Sequence, residues 1–376
     1  MSITRAAFRL AAPLFSAALV VAAAPDPVLP MDTAWTRPFP FGDQFLIAVG
    51  ETRLLVVEPT RIAAHAWKDG APAWVSDLDA TVVPVIDEGR VFIAAEEQLH
   101  ALSEMTGVLE WRLPTGPLSI APTARSGWLI VASETGTLTG VNASLGRVVW
   151  TAEIGVPLTS PVSIDGDLVV AGLADGRVTG WRVTDGSARW ETKIGTRSVQ
   201  VLAAAGRVFI AGQDGRLICL RQRDGRQEWD YLFGMAVVGR LAVDDRQIYA
   251  TTIDNSVRGH AFNGHQKWRQ VVDARVVDGL IADAGRIFVP QSNGEIRIFT
   301  SAGEKAGRLP GAAEDASVLG GLASSGGGSR LRMAITNSAA SELTVTAYQP
   351  TGLPATVAAT APPGTPLVLD LPPVRR

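Results

Sequence analysis

Short apolar runs of four to six residues recur along the chain, each closed by a turn pair. Arg207-Val-Phe-Ile-Ala-Gly leads into Gln213-Asp-Gly, Arg216-Leu-Ile-Cys-Leu leads into Asp224-Gly, and a third run opens at Trp229. Asp-Gly and Asn-Gly supply the positive φ angles of tight hairpin turns. They return at Asp175-Gly176, Asp185-Gly186, Asn263-Gly264 and Asn293-Gly294. The runs do not alternate: Leu217, Ile218, Cys219 and Leu220 are all apolar. Strands covered on both faces read this way, whereas a sheet with one wet face alternates. Helical spacing is absent, so the pattern predicts hairpins. A small-residue strand such as Val199-Gln-Val-Leu-Ala-Ala precedes each pair.

The pattern is periodic. Trp35, Trp74, Trp111, Trp150, Trp190, Trp229 and Trp268 follow one another at intervals of 39, 37, 39, 40, 39 and 39 residues. All but the first have glycine four residues earlier: Gly70, Gly107, Gly146, Gly186, Gly225 and Gly264. Four antiparallel strands per unit of about 40 residues is the pattern of a propeller blade. The fold class is therefore all-β, a β-propeller of four-stranded antiparallel sheets. First hairpins fall near 53–64, 90–102, 129–141, 168–181, 207–220, 247–260, 286–299 and 331–348, which makes eight blades. The last hairpin is degenerate, with Gly307 in the tryptophan slot of the unit before it and a glycine-serine loop (324–329) on its approach, so a count of seven stays open. The strand at Trp35 precedes any complete hairpin and is expected to pair with the last blade and close the ring, which removes exposed sheet edges.

Four segments result. Arg5 and Arg9 flank an uncharged apolar run, Leu10 to Ala24, that ends in small residues, the form of an export signal over 1–24. At this length it falls short of the roughly 20 residues that span a bilayer, although an uncleaved anchor is the alternative. Residues 25–30 form a linker, 31–352 the propeller, and 353–376 a proline-rich tail. With 34 basic against 37 acidic residues and no run of like charge, nucleic acid is not an expected partner. The single cysteine, Cys219, allows no intramolecular disulfide and no lipid attachment at the end of the signal.

Ala101-Leu-Ser-Glu-Met-Thr-Gly-Val-Leu-Glu-Trp111 resembles the quinoprotein-type, or PQQ-like, repeat, in which an Ala-Leu-Asp-x-x-Thr-Gly-x-x-x-Trp segment recurs once per blade. The likeness runs from Trp35 to Gly352. In size and export the chain is similar to the BamB family of the outer-membrane β-barrel assembly machinery. That resemblance implies a periplasmic, non-enzymatic scaffold that meets protein partners through the loops joining successive blades. It also implies peripheral association with a membrane complex, the chain being monomeric by itself. Two departures count: the lipidated cysteine of that family is absent, and Gly155 to Pro161 and Gly195 to Gln200 match none of its contact loops cleanly. No partner-binding residue is carried over.

Quinone-dependent dehydrogenases share the repeat, but they are longer, usually carry an adjacent cysteine pair and need clustered acidic and amide ligands. No cofactor is therefore expected, although PQQ or calcium stays open through the alternative reading, a small quinoprotein or ligand-binding propeller that uses the central channel. Asp165-Gly-Asp167 lacks the further oxygens and the twelfth-position glutamate of a calcium loop and reads as a turn. Cys219 shares a column of small residues with Ala64, Ala101, Gly140, Gly180, Gly259 and Ala347, so it reads as a small hydrophobe. His65 and His260 share the next slot, five blades apart, too far for one peripheral metal; His100 and His265 are isolated. No Gly-x-Ser-x-Gly elbow is present, and Asn142-Ala-Ser144 lies in a blade hairpin. The tryptophan column reads as core, each indole N–H finding a backbone acceptor. Trp67, Trp128 and Trp181 fall outside the column; a core placement is the expectation for them too, with exposed anchors as the alternative. Catalytic and metal-binding residues are expected to be none.

Overall fold

The computed structural model describes residues 31–39, 46–58, 60–118, 120–277, 279–309, 317–325, 331–339 and 342–350. The readings made for residues 1–30 and 353–376 lie outside the described residues.

Every described regular element is a strand, and the strands form eight four-stranded antiparallel sheets. Blade 5 shows the plan: Ser198–Ala204, Arg207–Gly212, Arg216–Arg221 and Gln227–Leu232 pair in sequence order. Blades 1, 2, 3, 4, 6 and 7 repeat it over 46–76, 85–114, 123–153, 163–193, 237–271 and 281–309. Blade 8 takes three strands from the C-terminal side, Ser317–Ser325, Arg332–Ala339 and Glu342–Pro350. Its fourth is Met31–Phe39, with Met31 opposite Pro350 and Phe39 opposite Leu343. The ring closes at Trp35's strand, and the blade count is eight.

First strands of successive blades touch around the axis from blade 1 to blade 7, and that of blade 8 touches blade 1. The core is divided accordingly. Eight apolar clusters of described residues lie one at each junction, each shared by two neighbouring blades.

The tryptophans make these junctions. Each indole lies across the strand beside it, directly opposite Ala64, Ala101, Gly140, Gly180, Cys219, Gly259 or Ala347 in the ladder. A Cβ on Gly180 would come within 2.6 Å of Trp190, and one on Gly259 within 2.5 Å of Trp268. The small-residue column is thus the bed on which the indoles lie. The other ring face meets the turn glycine of the next blade: a Cβ on Gly107 would sit 2.6 Å from Trp74, and one on Gly225 2.5 Å from Trp190. Gly70, Gly146, Gly186, Gly264 and Gly303 cover Trp35, Trp111, Trp150, Trp229 and Trp268 in the same way. The indole N–H then donates to a carbonyl of that same turn, as in Trp74 to Glu104 (2.8 Å), Trp150 to Val183 (2.6 Å) and Trp229 to Phe262 (2.8 Å). The Nε1 of Trp35 has no such acceptor among the described residues.

Blade 7 inverts the pair. Gly307 stands in the tryptophan slot and Ile298 opposite it, so large and small have changed strands. The junction with blade 8 is filled instead by Phe288, Met333 and Tyr348, all buried, and burial pushes the Tyr348 phenol up to about 12.

Candidate partner-binding face and central channel

The turns between second and third strands, together with the connections between blades, make one face of the ring. Backbone hydrogen bonds fix the connections after blades 3, 4, 5 and 6 on both sides. After blade 3, Ile154 and Gly155 N–H donate to Gly136 O (2.9 and 3.1 Å), and Pro157 O accepts from Ala174 N–H of blade 4 (3.0 Å). After blade 4, Ile194 N–H donates to Gly176 O (3.2 Å) and Arg197 O accepts from Gln213 N–H (2.8 Å). After blade 5, Phe233 N–H donates to Gly215 O (3.0 Å) and Ala236 O accepts from Ile253 N–H (3.0 Å). Such loops present side chains without the entropy cost of ordering them on binding.

Five large apolar residues stand exposed on this face in blades 5 and 6: Val199 (43%), Leu232 (60%), Met235 (46%), Ile253 (58%) and Val271 (55%). Ile253 occupies a turn slot filled in other blades by Glu96, Glu134, Ala174, Gln213 and Ser292. Next to it, Asp254 locks the turn. Its carboxylate accepts from Thr252 Oγ1 (2.5 Å) and Ser256 N–H (3.3 Å) and pairs with Arg258 (3.4 Å) and Arg269 (3.0 Å). Burial works to raise the Asp254 pKa, but hydrogen bonds from Thr252 and Ser256 and the charge of Arg258 outweigh it and hold it at about 2. Sequence reading missed this patch. The signal available was an isoleucine in a slot that is otherwise mostly polar.

The central channel has a volume of about 1090 Å³. Its described wall is leucine, isoleucine, valine, alanine and proline, and the polar side chains there are Arg125, Gln200 and Arg240; among the described residues no carboxylate lines it. Calcium takes six to eight oxygen ligands, mostly carboxylate and carbonyl. Among the described residues no group of three His, Cys, Asp or Glu side chains converges on a point. The described part of the lining therefore offers no ligand set for a calcium-held quinone.

The remaining candidates are structural. Cys219 is fully buried opposite Trp229, and burial pushes its thiol up to about 12. The His65 and His260 rings are buried, and each faces the carbonyl of a turn glycine through Nδ1, Gly70 O at 2.9 Å and Gly264 O at 3.3 Å. Burial lowers both pKa values, outweighing the contrary pull of those carbonyls. Asp165-Gly-Asp167 is a hairpin turn whose Asp167 pairs with Arg189. Asn142 Oδ1 accepts from Ser144 Oγ (2.8 Å) and Leu145 N–H (2.9 Å). Trp67 and Trp181 are buried and Trp128 is half-buried, so none is an exposed anchor.

An eight-bladed ring of PQQ-like repeats with interlocked tryptophans defines the class. Within it, the chain belongs to the family described as outer membrane protein assembly factor BamB, whose model matches residues 58–202 and 197–320. The BamB of Yersinia pestis is 29% identical over 169 residues, which is 39% of this chain and 42% of that protein. The chain thus spans under half the length of the curated BamB relatives from Y. pestis and Moranella endobia. In fold it is similar to the crystal structure of BamB from Moraxella catarrhalis, with a TM-score of 0.66 at 17% identity over 86% of this chain and 98% of that one. The quinohemoprotein alcohol dehydrogenase ADHIIG from Pseudomonas putida HK5 shares the fold with a TM-score of 0.62 at 12% identity, over 86% of this chain and 76% of that one.

Proposed function

We propose that this chain is an exported, non-enzymatic and cofactor-free scaffold of the cell envelope that binds protein partners through the inter-blade loop face, in the service of outer-membrane protein assembly. The observation that carries this reading is the loop face itself: the connections after blades 3 to 6 are pinned on both sides, and Val199, Leu232, Met235, Ile253 and Val271 stand exposed across two adjacent blades. Exposed apolar clusters of this kind mark interaction surfaces, and membership of the BamB family points to the same use. The quinoprotein reading shares the fold, but among the described residues the channel wall supplies none of the carboxylates it would need.

The test is affinity capture from solubilised envelopes with wild type and Ile253→Asp, paired with metal and quinone analysis of the purified chain. Wild type should retain an outer-membrane assembly partner, and Ile253→Asp should lose it with its melting temperature unchanged. Equal recovery by both forms would count against the loop face. Stoichiometric calcium or bound quinone would favour the dehydrogenase-like alternative.

A further inference from the structure

His65 of blade 1 and His260 of blade 6 occupy the same slot, one residue after the small residue that faces each tryptophan. Each ring turns Nδ1 to the carbonyl of its turn glycine, Gly70 or Gly264. A carbonyl only accepts, so Nδ1 carries the proton and Nε2 is left as a bare acceptor. Neither Nε2 has a hydrogen-bond partner among the described residues. What packs against the two rings differs.

Around His260 the junction is filled by the chain's own side chains. Tyr231 and Phe233 of blade 5 stand edge-on to it at 4.5 and 5.5 Å, and the Arg258 guanidinium lies over the Phe233 ring at 5.0 Å. Between blades 8 and 1 the corresponding residues are Arg37, Phe39 and Ala63. Phe39 keeps its place, 5.2 Å from His65. Arg37 replaces the tyrosine and Ala63 the arginine, and a groove of about 380 Å³ is left, with Phe39, Ala63, His65, Pro72 and Val75 in its wall. Its rim is open, Val75 being 53% exposed, while His65 at its base is only 6% exposed. Because Gly70 holds Nδ1 toward the turn that follows the strand, Nε2 on the other side of the ring is turned toward Ala63 and the groove. The charges nearby are already matched. Arg61 binds Glu58 through Nε (2.9 Å) and Nη2 (3.1 Å), and Arg37 donates through Nε and Nη2 to Asp69 O (3.1 and 3.0 Å).

We propose that this groove receives a tyrosine side chain of a partner protein, its phenol O–H donating to His65 Nε2. Three observations select that occupant. The sister groove holds a tyrosine ring edge-on to the same histidine slot. The wall is apolar and the neighbouring charges are paired, which suits an uncharged aromatic ring and not an ionic group. The one unmet polar atom at the base needs a donor, which tyrosine supplies and phenylalanine lacks. The groove lies between the outer strands of blades 8 and 1, apart from the apolar patch of blades 5 and 6 and independent of it. A partner long enough to reach both would be held at two points of one rigid ring, which raises affinity without a new contact at either.

Titration of the full chain with N-acetyltyrosine amide and with N-acetylphenylalanine amide, followed through the imidazole nitrogen resonances, tests it. The tyrosine amide should saturate the groove and move the Nε2 resonance of His65. The phenylalanine amide should bind about three- to tenfold more weakly, the worth of one neutral hydrogen bond. His65→Phe keeps a ring in place but removes the acceptor, and should bring the two amides level. Ala63→Arg copies the filled groove of blade 6 and should abolish binding of both. If His65→Phe failed to fold, as judged by its melting curve, Ala63→Arg and the resonance shift would carry the test. No saturation by the tyrosine amide up to its solubility limit would overturn the proposal. So would equal affinity of wild type for the two amides, or undiminished binding by Ala63→Arg.

Discussion

Each column tryptophan but Trp35 holds three things at once: a small residue beneath it, a glycine above it and a carbonyl at its nitrogen. Truncation forfeits all three. Trp150→Ala and Trp229→Ala should each cost about 3–5 kcal/mol, as for buried aromatics elsewhere, measured as the shift in denaturant midpoint. Cys219→Ala should stay within about 1.5 kcal/mol, because the slot beneath Trp229 already takes alanine in other blades. Its buried thiol should also react only slowly with a thiol reagent in the native chain. The inverted pair of blade 7 answers differently. Gly307 has a φ of 153°, which side chains rarely adopt, and it faces Ile298 rather than a small residue. Gly307→Trp should therefore destabilise by about 1–3 kcal/mol instead of restoring the pattern, and trimming Ile298 to glycine alongside should recover part of the loss.

At the scale of the element, Met31–Phe39 is the one strand whose blade-mates lie at the other end of the sequence. Removing 31–43 should lower the melting temperature of the whole ring in a single transition, followed by circular dichroism. Removing 353–376 should do much less, since all eight blades are complete without it. The strands and their order were legible because their signals are local: turn glycines, unalternating apolar runs and a fixed interval. The sites were not. The glycine four residues before each tryptophan looks like a feature of its own unit, yet Gly107 covers Trp74 and Gly146 covers Trp111, so each partner lies a whole unit away. Likewise, nothing local distinguishes the slot of Ala63 from that of Arg258. Only the neighbouring blade makes one an open groove and the other a filled one.

For the molecule as a whole, stability is spread over eight similar junctions, two of which contain a histidine buried in neutral form. His65 lies under Phe39 (5.2 Å) and His260 against Tyr231 (4.5 Å) and Phe233 (5.5 Å). Desolvation lowers both pKa values, with Arg37 and Arg258 pulling in the same direction. The unfolded chain then binds more protons than the folded one below the ordinary histidine value of about 6.5. Stability should be full above that pH and fall as pH drops through it. Urea midpoints between pH 8 and pH 5 should show the decline, and His260→Phe, which keeps a ring in the aromatic pocket, should make it shallower.

The interlock also bears on how such a ring comes by its number of blades. Because every indole is received by the following unit and every glycine by the preceding one, the junction is the same whichever two units meet. A duplicated unit would arrive with one tryptophan to offer and one glycine to accept with, and both neighbours would find the partner they already expect. Lineages of such rings can therefore gain or lose whole blades without redesigning a single contact, leaving curvature around the axis to decide when the circle is full. In this chain that freedom ends at the junction between blades 7 and 8, where Phe288, Met333 and Tyr348 replace the shared code with a private one. That seam fixes which blade is last.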